Sequence, residues 1–340
     1  MRTRRRHPEA GATAVLFAIL LFVIGGFLAL SLNMGHQMAV RAQLQNACDA
    51  AALAGARELD GTQAGLNRAR DRAFQFAELH RSDKVPVVID RQNDIILGTW
   101  DFEAPKATAF SPATAATSPV KINAVSVRDG REAARGSALA FYFYPLLSGN
   151  TRPRSIDVRA AAVAVGGGPC SGCALPFVLA DCQVVQPDGT LKCNETLKFS
   201  SATVDNIGFT NLADGVHAVN PPTIISILKG GCKDVGYGDH IGVQNGNDLT
   251  PQVQKALTDY LDQHGWQNPV LVPIVHPDTC PDPQFNRLQE VVGMASIVIT
   301  GVHGQPHRSI DIQVKCDQVR PEPAGCENFG TTSPKVRLVR

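Results

Sequence analysis

The sequence predicts an α+β protein: a single N-terminal transmembrane helix extended into a helical stalk, then a β-rich mixed region held by disulfides. Three observations predict it. An uninterrupted apolar run fills Ala12–Leu32, the hydrophobic period changes near Val85, and eight of the nine cysteines lie beyond Gly168. At 340 residues with 44% hydrophobic side chains, the chain can bury a large core behind such an anchor. Its 32 basic and 31 acidic residues nearly cancel, so no charge excess is left to hold a nucleic acid.

The elements follow in chain order. Arg2, Arg4, Arg5 and Arg6 crowd the first six positions, and no formally charged residue occurs from Ala10 to Val40. As a helix, Ala12–Leu32 would be about 31 Å long, the thickness of a hydrocarbon core of roughly 30 Å. Beyond Leu32 the first basic residue is Arg41. This asymmetry of positive charge predicts a cytoplasmic N-terminus, with everything after the helix on the far side. A cleaved signal peptide is the competing reading, because Ala29-Leu30-Ser31 offers small residues at suitable spacing. The apolar run exceeds the usual 7–15 residues of such a peptide.

The helical period continues past the membrane. Val40, Leu44, Ala47, Ala51 and Ala54 form a narrow stripe, suited to close packing against a partner protein or against the chain's own domain. A second helix is predicted over Gln63–Leu79. Val85–Asp90 and Asp94–Thr99 then read as a hairpin, Ala104–Pro119 as a surface loop, and Val120–Arg128 and Ser155–Val165 as strands. Between those strands, Ala138–Leu147 is an aromatic-rich core segment. Gly166-Gly167-Gly168-Pro169 marks a boundary. Beyond it, a helix at Pro251–His264 and strands at Pro269–Val275, Val291–Val302 and Ile310–Val314 are expected, with an irregular tail after Cys326. The division is therefore a basic N-terminus (1–11), a membrane helix (12–32), a stalk (33–80), a first α+β part (81–166) and a cysteine-rich α+β part (167–340).

Cys170, Cys173, Cys182, Cys193, Cys232, Cys280, Cys316 and Cys326 form an even set in an exported segment, which reads as four disulfides; 105 pairings of eight cysteines are possible. Two thiol chemistries compete with this reading. Gly168-Pro169-Cys170-Ser171-Gly172 has the outline of a nucleophile elbow with Cys in place of Ser, and Cys170-x-x-Cys173 has the spacing of a redox pair. Either would make a periplasmic hydrolase or oxidoreductase, yet neither shows a base or a helix start to lower the thiol pKa. Zinc on Cys170, Cys173, Cys182 and Cys193 would lack the second close pair of a ribbon.

Other chemistry is sparse. His217, His240, His276, His303 and His307 are scattered, and Gly304 and Pro306 put the last two in a loop. Asp234, Asp239, Asn245, Asn247 and Asp248 cluster among glycines but fit no EF-hand spacing. Asn194-Glu195-Thr196 matches a glycosylation acceptor, and Gly25-Gly26 permits a close helix approach. No cofactor, catalytic residue or metal site is expected.

Gly11-Ala12-Thr13-Ala14-Val15, followed by Val40-Arg41-Ala42-Gln43-Leu44-Gln45-Asn46-Ala47-Cys48-Asp49-Ala50-Ala51-Ala52-Leu53-Ala54, resembles the TadG-like N-terminal module of tight-adherence (Flp) pilus assembly. Weaker patches of resemblance lie at Gly98–Asp101, Pro145–Leu147 with Ile156–Ala164, Tyr237–Asp239, Pro251–Tyr260 and Val291–Ala295. The resemblance implies a non-enzymatic, membrane-anchored component that meets other pilus-assembly membrane proteins and serves surface attachment. It also implies a bacterial inner membrane, with the bulk of the chain periplasmic. A cell-surface adhesin is the alternative within this class. The Asp-x-Ser-x-Ser metal motif of longer relatives is absent, so metal-dependent adhesion does not carry over. Pilins of this machinery are cut after a Gly five positions before a Glu; here Glu9 precedes Gly11, and no Glu follows within the membrane run.

Overall fold

Helix α1 runs without a break from Glu9 to Ala56, about 72 Å at 1.5 Å per residue. It belongs to a computed structural model that describes residues 9–141, 155–200, 208–245, 249–278, 280, 283, 285, 287–305 and 308–340. The predicted topology-setting arginines (Arg2, Arg4, Arg5, Arg6), the 142–147 part of the aromatic segment, Asn247, Asp248 and His307 lie outside the described residues.

The two halves of α1 have different surroundings. Large apolar side chains from Val15 to Leu32 are 45–67% exposed. Fully burying one such side chain is worth roughly 1.5–3 kcal/mol, and about half of each is exposed, so thirteen of them favour a lipid environment by on the order of 10–20 kcal/mol. From Val40 onward the helix is instead a core element. Val40, Leu44, Ala47, Ala51 and Ala52 are at most 1% exposed. They share a cluster with Leu66, Ala69, Ala73 and Ala77 of α2 (Gln63–Glu78) and with Val125, Val127, Ala162 and Ala164 of a sheet. The expected stalk over 33–80 is therefore folded down onto the domain. Its alanines allow that: with no side chain beyond Cβ, the helix can approach a sheet closely.

Helix α2 starts at Thr62, whose Oγ1 accepts the Gly65 N–H at 3.0 Å. It packs across α1 where Gly55 stands. A Cβ at Gly55 would lie 2.9 Å from the Ala69 carbonyl oxygen and 3.1 Å from the Ala73 Cβ.

The strands of this first unit are β1 (Arg81–Ser82), β2 (Val85–Pro86), β3 (Ile95–Trp100), β4 (Phe110–Pro112), β5 (Ala124–Arg131), β6 (Leu139–Ala140), β7 (Ser155–Ile156) and β8 (Val158–Val165). The supporting sheet is antiparallel, in the order Arg337–Leu338, β8, β5, β3, β4. Two expectations change here. The predicted hairpin of Val85–Asp90 with Asp94–Thr99 does not form. Asp90 Oδ1 accepts the Gln92 and Asn93 N–H groups, while Asp94 turns inward to a two-pronged ion pair with Arg135 at 2.7 and 3.0 Å. That capped turn frees β3 to pair with β5 and β4, and β4 arises inside the predicted surface loop. The tail after Cys326 is not irregular either. Ala324–Asn328 is a strand of the second sheet, and Arg337–Leu338 returns to pair with Val165 and Ala164.

The second unit is built on an eleven-stranded sheet among the described residues. Five of its strands form a closed circuit: Leu288–His303, His240–Gln244, Gly208–Asp214, Phe177–Ala180 and Val270–Val275, which pairs back with Leu288–His303. Closure removes sheet edges. Val178, Leu212, Ile241, Val243, Val275, Val291 and Met294 come from these five strands and share one buried cluster with Phe285. A second cluster seats Ile224 and Leu228 of helix Pro221–Gly230, and Val253, Leu257 and Leu261 of helix Pro251–His264, against Val272, Ile297, Ile299 and Ile312. The Pro221–Gly230 helix escapes the sequence reading because its two leading prolines look like a loop. They stand instead at the helix start, where a missing N–H costs nothing.

The expected boundary at Gly166–Pro169 is a buried seam. A Cβ on Gly166 would meet the Ala56 carbonyl oxygen at 2.0 Å, so the end of α1 rests on this glycine. Asn123 Nδ2 donates to the Gly325 carbonyl at 2.6 Å, and Asn328 Nδ2 to the Leu59 carbonyl at 3.1 Å, both buried. Gly55→Leu should overpack the α1–α2 crossing and lower stability by about 1–3 kcal/mol. Denaturant midpoints of the detergent-solubilised protein check this, and an unchanged midpoint would contradict the crossing.

Candidate functional site

Helix α1 joins the long exposed apolar segment to the first sheet, so the site is built from α1 outward. Gln43, Gln45, Cys48 and Asp49 interrupt the alanine stretch, and three of these have defined tasks. Gln45 Nε2 donates to the Asp49 carboxylate at 2.7 Å and to the Ala161 carbonyl of β8 at 3.0 Å. Gln43 Oε1 accepts the Asp83 N–H at 2.8 Å, which ties the β1–β2 turn to the helix. The Cys48 thiol lies against the Ala160 carbonyl at 3.7 Å. These contacts fix both rotation and height of α1 on the sheet.

The stripe read from the sequence is used internally. Val40, Leu44, Ala47 and Ala51 face the chain's own sheet and α2, and Ala54 is half-buried beside them. Of the two occupants open to this face, the domain itself takes it, because the sheet supplies an apolar surface a partner would otherwise provide. The faces left open on this part of α1 carry Met34, Met38 and Arg41.

Next to Arg41 and Gln45 a charged groove is lined by Asp94, Arg128, Asp129, Glu132, Arg135 and Arg159. Its charges are mutually paired. Arg135 bridges Asp94 and lies 3.7 Å from Asp129, and Arg159 meets Glu132 at 2.6 Å. Burial pushes the Asp129 carboxyl up, opposed by the Gly130 N–H and by Arg135. The network spans β5, β8 and the Asp90–Asp94 turn, and so closes the end of the sheet nearer the exposed apolar half of α1.

The cysteines form four disulfides: Cys170–Cys326, Cys173–Cys232, Cys182–Cys280 and Cys193–Cys316. Cys170 and Cys173 thus belong to different bridges. This removes the nucleophile from the elbow-like Gly168–Gly172 and breaks the redox pair, and it disperses the four-cysteine zinc set. Among the described residues, Asp181, Cys182 and Cys280 bring three ligand-type atoms together. The two sulfurs there are bonded to each other and Asp181 Oδ2 is 2.5 Å from His276 Nδ1, so the group is a disulfide beside an ion pair. His303 Nε2 similarly meets Asp311 at 2.9 Å. Asp239 and Asn245 spend their carboxylate and amide oxygens on the Gly236 and Phe285 N–H groups, which turns them into loop braces.

Cys48 is the free cysteine, and it is buried. Desolvation, followed by the negative charges of Asp129 and Asp49, pushes its thiol up to about 12. A thiol held that high stays protonated and unreactive at physiological pH. Sequence reasoning marked it only as solitary; its burial under the sheet follows from its place on the alanine face, one position after Ala47. Gly55, Asn123 and Asn328 had no signal of their own, and Gly166 signalled only a boundary, since each acts through a neighbour distant in sequence.

Residues 11–58 match the family model of TadE/G-like proteins of Flp pilus assembly. That match spans the exposed apolar half of α1, its core half and the turn to Glu58. No curated protein and no solved structure matches the chain.

Two outcomes are expected. A thiol reagent at pH 8 should find no reactive thiol in the native protein and one per chain after denaturation; a native reactive thiol would contradict the burial of Cys48 or the Cys170 and Cys173 bridges. Replacing both Cys170 and Cys326 by serine should cost about 2–5 kcal/mol of stability, the usual loss for a native disulfide. Limited proteolysis then reads the loosening, which should centre on the strands around Gly168 and Cys326.

Proposed function

We propose that this chain, with its TadE/G-like module at residues 11–58, is a non-enzymatic scaffold of Flp pilus assembly held in the bacterial inner membrane. One observation carries the reading: up to Ala56 the matched segment is a single unbroken helix, apolar and exposed in its first half and seated on the first sheet in its second. Such a helix cannot let the domain swing on a flexible tether. It sets the height and rotation of the domain above the bilayer, which suits a part that must meet other assembly proteins in register.

Arg2, Arg4, Arg5 and Arg6 on one side and the lone Arg41 on the other support a cytoplasmic N-terminus with the bulk of the chain in the periplasm. Four disulfides support the same compartment, since such bonds persist in an oxidising one. Arg2, Arg4, Arg5 and Arg6 are its topology determinants, and residues 12–32 its span. Other pilus-assembly membrane proteins are its partners, met through membrane-embedded faces of α1 and the exposed faces of both units. Retention by the helix argues against an adhesin displayed on the cell surface, and the bridged Cys170 and Cys173 argue against thiol catalysis.

Deleting the gene should abolish or sharply reduce surface pili, and the full chain should restore them. The same domain released from the membrane, with residues 1–38 replaced by a cleavable export signal, should fail to restore them. Normal piliation of the deletion strain would overturn the assembly role. Full rescue by the released domain would overturn the role of the anchor.

A further inference from the structure

We propose that the β1–β2 hairpin is a second membrane contact, in which Arg81 and Lys84 bind the phosphate headgroups of the bilayer that holds α1. The inference rests on the reading of α1 as a membrane anchor and adds a site that the anchor alone does not require.

Height comes first. His36 Nε2 lies 3.0 Å from Asp83 Oδ1 at the hairpin tip. His36 is four residues beyond Leu32, about 6 Å along the helix axis. The headgroup layer on each face of a bilayer is about 5–7 Å deep, taking the total thickness less the hydrocarbon core. Asp83 also bonds Gln43, about 16 Å beyond Leu32 along the axis. The hairpin tip therefore stands between these two levels, at the outer edge of the headgroup layer when Ala12–Leu32 fills the hydrocarbon, a height from which long basic side chains reach phosphates.

The hairpin is also held there. Asp83 N–H donates to Gln43 Oε1, and Arg131 Nη1 donates to the Ser82 carbonyl at 3.0 Å. It is tied on one side to α1 and on the other to β5.

Chemistry at the tip fits an anionic surface. Ser82 pairs with Val85, leaving Asp83 and Lys84 as the two-residue turn, with φ of 52° and 65°. Left-handed backbone at both positions normally selects Asn-Gly or Asp-Gly. Here a lysine takes the second place, where a glycine would be less strained, so a cation is present at a backbone cost. Arg81 and Lys84 are exposed, and neither side chain has an ion-pair partner among the described residues. Val85 is 46% exposed, and Met34 and Met38 are exposed on the neighbouring turns of α1. Cations beside apolar side chains are what an interface of phosphates above acyl chains accommodates. The surface is continuous with the lipid-facing half of α1.

The test uses the full chain in lipid nanodiscs. A fluorophore is placed on Val85→Cys or, as a water-facing control, on Val319→Cys in the second unit; the native cysteines are bridged or buried. Quenching is measured in discs of mixed anionic and zwitterionic phospholipid, with a headgroup nitroxide placed either on the anionic lipid or on the zwitterionic one. Quenching at position 85 should exceed that at 319 at least threefold. At position 85 it should be at least twofold stronger with the nitroxide on the anionic lipid, and that preference should fall by at least half in Arg81→Glu/Lys84→Glu. Lys84→Ala serves if the double variant does not fold. Equal quenching at 85 and 319, or no preference for the anionic lipid at 85, overturns the proposal. Failure of the anchor is separate, since the protein would then not co-purify with the discs at all.

Discussion

Everything in this molecule depends on one helix with two different surfaces, apolar all round in its first half and apolar on one face in its second. From Val15 to Leu32 the side chains of α1 are apolar on all sides and exposed, a surface that water penalises and lipid accepts. From Val40 to Ala56 only one face is apolar, and it is almost entirely alanine, valine and leucine pressed on a sheet. No glycine–proline break, loop or cap separates the halves. The orientation of the domain relative to the apolar half is thereby a property of a continuous hydrogen-bonded rod rather than of a linker.

The rest of the architecture makes that rod consequential. At its far end Ala56 rests on Gly166, and Asn328 holds the carbonyl of Leu59, so the second unit is coupled to the end of α1. Strand Arg337–Leu338 crosses back from the second unit to the edge of the first sheet. The closed five-strand circuit and four disulfides then stiffen the second unit itself. A displacement or rotation of the apolar half of α1 is transmitted to both units through these contacts.

The sequence disclosed what local physics determines. The apolar run, the alanine stripe, α2, the Pro251–His264 helix and the long core strands are each written in a period of a dozen residues. Partners distant in sequence are not. The stripe Val40–Ala51 announced that it would be buried but not against what, because a sheet of the same chain and a foreign helix demand the same small apolar face. The hairpin expected at Val85–Thr99 failed for a related reason: alternation marks a strand, while Asp94 choosing Arg135, 41 residues away, decides which strand it joins. The cysteines announced an even set of bridges, but their pairing was left open until the strands carrying them were placed. Cys170-x-x-Cys173 shows the hazard in such motifs, since neighbours in sequence became members of different bridges.

The account's central claim is that α1 is one rigid element from lipid to core. Spin labels at Leu20→Cys, within the lipid-exposed half, and at Val319→Cys, in the second unit, measure it by pulsed electron–electron distance in lipid nanodiscs. A single narrow distance distribution is predicted, unchanged between lipid compositions. A broad or multimodal distribution would mean a hinge between membrane and domain, and would contradict the account.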